Sequence, residues 1–238
     1  MKKIILAALL FAGLAASQAA RAVTITGTLG GAPTGVNYLN FDNLTPNATG
    51  VMVANGPNGS VKVTVTPNGQ VAVGSQSGVY AAPFLSGNNG AMFGNANGVD
   101  TTPYLTSGSI GGNGSVTLSF STPQQYFGLL WGSIDLDNQL DFYDSSNTLV
   151  ATIFGSSVLA SANGDQGVQG TLYVNINNLP AFTSVKATSP NFAFEFDNVS
   201  YSERPVGAVA DGGATLGLFG LGLLGLGLVS RRMNLCRN

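Results

Sequence analysis

Short runs that alternate apolar and polar side chains constrain the fold of this 238-residue chain more than any other feature. The runs SVKVTV, SVTLSF and TLYVNI occupy residues 60–65, 115–120 and 171–176. A period of two places every second side chain on the same face, which is typical of a strand with one face in a core. Between the two ends of the chain, no segment keeps a helical period. The sequence therefore predicts an all-β domain.

Gly, Asn and Pro separate these runs from further candidate strands. Many short strands with turn residues between them favour a β-sandwich, and we predict one jelly-roll-like domain over residues 23–203. The stretch from Gly74 to Gly114 is rich in Gly, Asn and Ser, so it is predicted to form long surface loops. The further candidate strands lie at residues 23–29, 36–41, 70–73, 125–131, 139–143, 148–154, 182–188 and 192–202.

The first 22 residues have the three-part pattern of a secretory signal peptide. Lys2 and Lys3 precede an apolar run over residues 4–16, which is too short for a stable membrane span. A small-x-small site follows at Ala20 and Ala22. We predict that signal peptidase cleaves after Ala22, with cleavage after Ala19 or Ala20 as the alternatives. The rest of the chain is then exported.

A second apolar segment, rich in Leu and Gly, covers residues 214–229. As a helix its sixteen residues would be about 24 Å long, short of the roughly 30 Å hydrocarbon core. Arg231 and Arg232 follow it and, by the positive-inside rule, stay in the cytoplasm. We predict a linker with a sorting motif at 204–213, a transmembrane segment at 214–230 and a basic cytoplasmic tail at 231–238. A short, glycine-rich span suits a temporary anchor.

The residues around this segment resemble the PEP-CTERM class of sorting tails in Gram-negative bacteria. That class combines a short motif, a Leu/Gly-rich span and an Arg cluster. In one related type the motif reads Val-Pro-Asp, followed by small residues and Thr, and here Ala210 stands in place of the proline. The matching residues are Val209, Ala210, Asp211, Gly212, Gly213 and Thr215.

This resemblance implies processing by an exosortase-type transpeptidase near residues 209–213. The expected product is an exported protein that is held transiently in the membrane and then released to the cell surface or extracellular matrix. A plain C-terminal anchor that remains in the membrane is the alternative.

The charged and reactive residues limit the functions open to the exported part. It keeps only Lys62, Lys186 and Arg204 as cations against ten or eleven acids, so nucleic-acid binding is excluded. The chain has no histidine, which removes Ser-His-Asp and Cys-His catalysis. Its single cysteine, Cys236, lies in the predicted cytoplasmic tail, so no disulfide is expected in the exported domain. We expect a protein that is not an enzyme and needs no cofactor, apart from a candidate structural Ca²⁺.

A second resemblance lies within the β-domain. Exported PEP-CTERM proteins often carry a strand that ends in Trp-Gly-Ser, a hairpin that ends in Phe-Tyr and a final Phe-Asp-Asn-Val. Here these are residues 131–133, 142–143 and 196–199. The resemblance implies a galactose-binding-like jelly roll and does not imply a known ligand.

Two sets of aspartates are candidate metal ligands, because hard cations such as Ca²⁺ take oxygen donors. Asp135 and Asp137 share one strand parity with Asp141, but a turn formed by Asp side chains is favoured over Ca²⁺ there. Asp42 and Asp197 lie in near-copies, FDNL and FDNV, at opposite ends of the domain. First and last strands are often neighbours in a jelly roll, so these two carboxylates are predicted to share a structural Ca²⁺. Capping of strand edges by Asx side chains is the alternative.

Aromatic residues raise the possibility of carbohydrate binding. Trp131, Tyr126 and Tyr143 are candidates for a platform that binds a surface or matrix polysaccharide, although a buried aromatic cluster is the favoured interpretation. A glycosidase would need two facing carboxylates, for which Asp135 and Glu195 are available. The main hypothesis is a sorted surface protein; a carbohydrate-binding module is second, and an extracellular hydrolase is third.

Overall fold

The computed structural model describes residues 22–108, 113–191 and 193–207. Within these residues the predicted all-β class is confirmed, because antiparallel strands form two large sheets that pack face to face. Most of the predicted signal peptide (1–21) and the predicted sorting motif, transmembrane segment and basic tail (209–238) lie outside the described residues. In the described part of the chain, no helix has the length and apolar character needed to span a membrane.

The first sheet contains seven strands in the order β1-β13-β10-β15-β8-β5, with β2 also paired to β15. β2 and β8 pair with different parts of β15, since β2 faces its residues 199–201 and β8 faces its residues 194–196. The strands are β1 (Thr24–Thr28), β2 (Asn37–Leu39), β5 (Gln70–Ala72), β8 (Tyr104–Ser107), β10 (Tyr126–Gly132), β13 (Leu172–Asn177) and β15 (Phe194–Ser202).

The second sheet contains six strands in the order β12-β11-β14-β9-β4-β3. A single-turn helix, α1 (Gly155–Val158), follows its edge strand β12, and a separate two-stranded ribbon joins β6 to β7. The strands of the second sheet are β3 (Gly50–Gly56), β4 (Gly59–Val65), β9 (Gly114–Gln124), β11 (Gln139–Tyr143), β12 (Leu149–Phe154) and β14 (Phe182–Ser189). The ribbon is β6 (Phe84–Leu85) with β7 (Gly98–Val99).

The alternating runs place their apolar residues in the core between the sheets. Val63 lies opposite Leu118 in the pairing of β4 with β9, and both are buried. From the first sheet, Phe127 and Phe196 enter the same core. Phe127 packs edge-on against Phe142 of the second sheet, with ring centroids 5.7 Å apart. The aromatic contacts thus join the two sheets directly.

β10 differs from the alternating strands because all seven of its residues are buried. Its inward residues, including Trp131, join the main core, whereas Leu130 packs on the other face against Leu85 and Tyr173. A strand covered on both faces reads as a continuous apolar run, as YFGLLWG does.

Residues 73–103, which we call the cover segment, lie over the outer face of the first sheet. The Ala81 N–H donates to Glu195 of β15 and the Phe84 N–H donates to the Thr171 hydroxyl, at 2.8 and 3.3 Å. The Tyr104 hydroxyl donates to the Gly74 carbonyl at 2.6 Å. This segment includes β6, a 3-10 turn at Ala91–Phe93, and β7.

The prediction of long surface loops between Gly74 and Gly114 was therefore wrong at β8 and at the buried parts of the cover segment, although much of that stretch is irregular and at least partly exposed. It contains β8, all four of whose residues are buried, and a segment that packs on a sheet. Its Gly and Asn residues follow a tight path against the sheet; Asn88, for example, has a φ of 65°. The exposed edge strand β3 was also not predicted.

Candidate functional site

A layer of buried polar side chains lies between the first sheet and the cover segment. Phe194 and Phe196 of β15 face the main core, so the alternating residues Glu195 and Asp197 face outward, towards the cover. Glu195 and Asp197 are 1% and 0% exposed. Two buried acids in one strand require partners, because a charge removed from water is costly unless it is compensated.

Both carboxylate oxygens of Glu195 accept hydrogen bonds. One carboxylate oxygen accepts the Ala81 N–H at 2.8 Å and the other accepts the Ser133 hydroxyl. Burial raises the pKa of Glu195 to about 7, although these two hydrogen bonds have the opposite effect and lower it. The Glu195 carboxyl therefore fastens the cover segment to β15 and is not open to a substrate.

Neither carboxylate oxygen of Asp197 has a hydrogen bond of ordinary geometry, although the nearby Asn198 N–H lowers its pKa to some extent. The carboxylate of Asp100, from the cover segment, lies within hydrogen-bonding reach of it and is 1% exposed. Burial raises the pKa of Asp197 well above its ordinary value, and the neighbouring Asp100 raises it further. The two facing carboxylates belong to segments almost a hundred residues apart in sequence.

Asp42 is the third acid of this region. Burial raises its pKa, and the charge of Asp100 raises it as well. The Thr102 hydroxyl donates to Asp100 at 2.7 Å and also interacts with Asp42, so it lies between the two carboxyls. Asp42 is exposed, unlike the other two acids. Asp42 is therefore the acid of this region that contacts solvent, and its charge interacts with that of Asp100.

The structure brings together the predicted pair Asp42 and Asp197, because β2 and β15 are neighbours with Leu39 opposite Val199. Sequence reasoning missed Asp100. One feature of the sequence could have pointed to Asp100: it is the only charged residue between Lys62 and Asp135. Within the described residues, no three acidic or cysteine side chains form a complete metal cage. The arrangement is a close pair with Asp42 at longer range.

Asp135 and Asp137 lie elsewhere, in the connection between β10 and β11. β10 ends at Gly132 and β11 begins at Gln139, so the two aspartates do not share a face of a continuous strand. The Asn138 N–H donates to the Asp135 carbonyl at 3.3 Å, which closes a turn. Asp137 accepts a hydrogen bond from the Asn191 side chain. Burial raises the pKa of Asp135, and the charge of Asp137 raises it further.

The candidate aromatic platform is not on the surface. Trp131 is fully buried and stacks on Phe194, with ring centroids 4.4 Å apart and planes at 19°. Tyr126 is also buried, and its hydroxyl donates to Asn175 at 2.7 Å. Tyr143 is half-buried at the end of β11. Trp131 and Tyr126 are part of the packed interior.

A groove of about 280 Å³ lies at the β1–β13 end of the first sheet. Hydroxyl and amide groups are present in its lining, but more of the lining surface is apolar than polar. The lining residues are Thr24, Thr26, Gly31, Pro33, Tyr126, Asn175, Asn177 and Val206.

No family model matches this chain, and no curated protein matches it. The functional interpretation therefore depends on the residues and geometry described above.

Proposed function

We propose that this chain is an exported protein of the cell surface or extracellular matrix, with no catalytic step of its own. A signal peptide over residues 1–22 starts export. The segment 214–230 then holds the protein transiently in the membrane, with Arg231 and Arg232 on the cytoplasmic side. An exosortase-type transpeptidase cleaves near residues 209–213 and releases the β-domain to its final location. The support is the order of motif, Leu/Gly-rich span and Arg pair in the sequence.

The single structural observation that favours this proposal is that both ends of the β-domain emerge at the same place. The Asn178 side chain donates to the Ala22 carbonyl at 3.2 Å. The neighbouring Asn177 side chain donates to the Val206 carbonyl at 2.7 Å and accepts from the Val206 N–H at 2.9 Å. Ala22 and Val206, which lie at the two ends of the β-domain, are therefore close together, and this supports the proposal that both ends face one membrane during export.

The β-domain itself we propose to be a galactose-binding-like jelly roll. Two packed antiparallel sheets and the pairing of an early strand, β2, with the last strand, β15, support this assignment. The Trp-Gly-Ser segment of the resemblance lies at the end of β10, with its Ser just after the strand. The Phe-Asp-Asn-Val segment lies in β15, which pairs with β10.

Intact mass spectrometry of the exported protein tests the processing step. The full chain is produced in a Gram-negative host with an exosortase and in the same host without it. We expect the mature protein to begin at Val23 in both hosts and to lose the residues beyond the 209–213 region only where the exosortase is present.

Asp211→Ala should reduce the processed fraction, because it removes the one acid of the motif. Glu203→Ala is the matched control, since it removes an exposed acid outside the motif and should leave processing unchanged. A mature chain that still ends at Asn238 in the exosortase host contradicts the proposal.

Carbohydrate binding is the second candidate function, and the groove favours it. The exposed hydroxyls of Thr24 and Thr26 in its lining offer hydrogen-bond donors and acceptors of the kind that sugar hydroxyls use. The exported protein is applied to an array of surface and matrix polysaccharides. Thr26→Ala, in the groove, should weaken any binding, whereas Thr148→Ala, on an exposed turn of the other sheet, should not. Equal binding by both variants places the ligand elsewhere.

A further inference from the structure

Two carboxylates that face each other cannot both remain ionised without a positive partner between them. An ionised carboxylate only accepts hydrogen bonds, and like charges at contact distance repel. No hydrogen bond of ordinary geometry reaches either oxygen of Asp197 or Oδ2 of Asp100, and the nearby Asn198 N–H offsets only part of the charge on Asp197. The partner between them is therefore either a shared proton or a cation.

A second observation comes from Asn198, whose side chain is fully buried and makes no hydrogen bond at either amide atom. Its φ of 51° lies in the left-handed region, at the point where the pairing of β15 with β10 shifts register. Buried amides are nearly always hydrogen-bonded. Asn198 directly follows Asp197 in β15, so two adjacent residues both have buried polar side chains without a partner, which points to a ligand at this place.

The sheet explains why these groups meet. On one side of β15, pairing with β8 ends at Phe196 and pairing with β2 begins at Val199, so Asp197 and Asn198 lie at the gap between β2 and β8. Asp42 follows the end of β2, and Asp100 precedes the start of β8. Three segments distant in sequence thus bring oxygen donors to one gap in the sheet.

We propose that this gap is a Ca²⁺ site formed by the carboxylates of Asp100 and Asp197 and the amide oxygen of Asn198, with the more distant carboxylate of Asp42 reaching the ion through water. The ion neutralises the buried pair and supplies the contact that Asn198 lacks. Asp42, which is exposed, completes the shell from the solvent side and gives the ion its entry path. The proposal is independent of the sorting function.

The donor set selects calcium among the common cations. Every donor is an oxygen, and Ca²⁺ accepts six to eight oxygens in flexible geometry. Mg²⁺ demands near-ideal octahedral geometry and keeps several waters, for which the buried pair leaves little room. Zinc prefers nitrogen and sulfur, and the chain has no histidine and a single cysteine.

The ion would bind the cover segment to the sheet. Asp100 belongs to the cover, whereas Asp197 is in the middle of β15, so one ion cross-links the two. The Glu195 contacts fasten the cover at Ala81, and the calcium would fasten it again at the other end. Without the ion, we expect the cover to be the first part of the domain to loosen.

Calorimetric titration of the full chain, purified in detergent and stripped with a chelator, tests the site. We expect one Ca²⁺ per chain, with a dissociation constant in the range of extracellular modules, about 10⁻⁴–10⁻³ M. Because only the folded state binds, saturating Ca²⁺ should raise the melting temperature by a few degrees over the chelated protein. Mg²⁺ at the same concentration should give little or no rise.

Asp100→Asn and Asp197→Asn separate a cation from a shared proton, since each keeps the size of the side chain and removes a charge. With a cation, both variants lose the calcium-dependent rise. With a shared proton, the new amide donates to the remaining carboxylate, and both variants melt higher than the parent with or without Ca²⁺. Asp165→Asn, at an exposed loop position, should keep the rise of the parent protein.

A measurement on the unaltered chain covers the case in which the variants fail to fold. Tb³⁺ replaces Ca²⁺ in oxygen sites and emits when a nearby tyrosine is excited. Tyr104 can serve as that tyrosine, because it begins the strand that follows Asp100 and interacts with Asp100. We expect sensitised emission that Ca²⁺ displaces and Mg²⁺ does not. Superimposed melting curves together with an absence of displaceable emission overturn the proposal.

Discussion

At the scale of single residues, Asn138 joins the turn after β10 to two neighbouring segments. Its side-chain oxygen accepts from the Trp131 indole at 3.3 Å and from the Asp135 N–H at 3.1 Å. Its side-chain nitrogen donates to the Ser189 hydroxyl and the Ala193 carbonyl, both at 3.3 Å. The side chain is fully buried, so water cannot replace any of these bonds.

Asn138→Ala should lower the free energy of unfolding by about 3 kcal/mol, because it leaves several buried polar groups without a partner. Urea denaturation, followed by the fluorescence of Trp131, measures the loss. Asn163→Ala is the control, since Asn163 is exposed, and it should change the stability by less than about 0.5 kcal/mol. A loss equally small for Asn138→Ala would mean that the turn holds without this side chain.

The sequence predicted part of the acidic cluster at this scale, and the limit has a physical reason. Asp42 and Asp197 were paired because their segments repeat the same Phe-Asp-Asn pattern. Asp100 has no such pattern, and it reaches Asp197 only because the cover segment crosses the sheet. A long-range approach between segments depends on the packing of the whole segment, which local spacing does not encode.

At the scale of elements, periodicity predicted the strands that have one buried face. β11 was predicted at its observed bounds, and β4 and β9 start within one residue of their predicted positions. β3 and β8 were missed for opposite reasons. In β3 the apolar residues Val51 and Val53 point to solvent, so hydrophobicity does not mark the core face. In β8 the polar residues Thr106 and Ser107 are buried, so the strand looks like a loop.

Several tyrosines are buried on the outer face of the first sheet. Burial raises the pKa of Tyr126 to about 12, and it also raises the pKa values of Tyr104 and Tyr173. The Tyr173 hydroxyl donates within this layer, to the Asn198 carbonyl at 2.9 Å. Ionisation of these side chains is therefore opposed by the fold.

These tyrosines predict a loss of stability in alkali. The folded state holds the Tyr126 proton more tightly than the unfolded state, so the contribution of Tyr126 is complete below about pH 10 and is lost as the pH rises through about 12. In Tyr126→Phe, the slope of the unfolding free energy against pH should be shallower by about 1.4 kcal/mol per pH unit in this window.

Denaturant titrations between pH 9 and pH 12 measure the slope, with Tyr38→Phe as the control because Tyr38 is only half-buried. Tyr126→Phe also loses its bond to Asn175, which should cost about 1 kcal/mol at every pH. That offset does not alter the slope. An unchanged slope would show that the Tyr126 hydroxyl can ionise within the folded protein.

At the scale of the whole molecule, the positions of the two ends of the β-domain bear on how the protein would face the membrane in the proposed anchored form. Asn177 and Asn178, at the end of β13, contact Val206 and Ala22 respectively. If the protein is anchored as proposed, we expect the edge of the sandwich that contains them to be the one nearest the membrane. The turn with Asp135 and Asp137 lies at the opposite end of β10, since Tyr126 is paired with Ser202 at the near end.

This arrangement can be measured as distances in the full chain. Spin labels are attached to Thr24→Cys and Val206→Cys in a Cys236→Ser background. Thr24 is opposite Asn177 in the β1–β13 pairing, and the Val206 backbone is bonded to Asn177, so the two backbones should be about 10 Å apart. The control pair, Val51→Cys and Leu149→Cys, lies on the two edge strands of the six-stranded sheet. Five inter-strand spacings predict about 24 Å for that control. If the first pair proves as long as the second, the ends do not emerge together, and the membrane-facing edge assigned here is wrong.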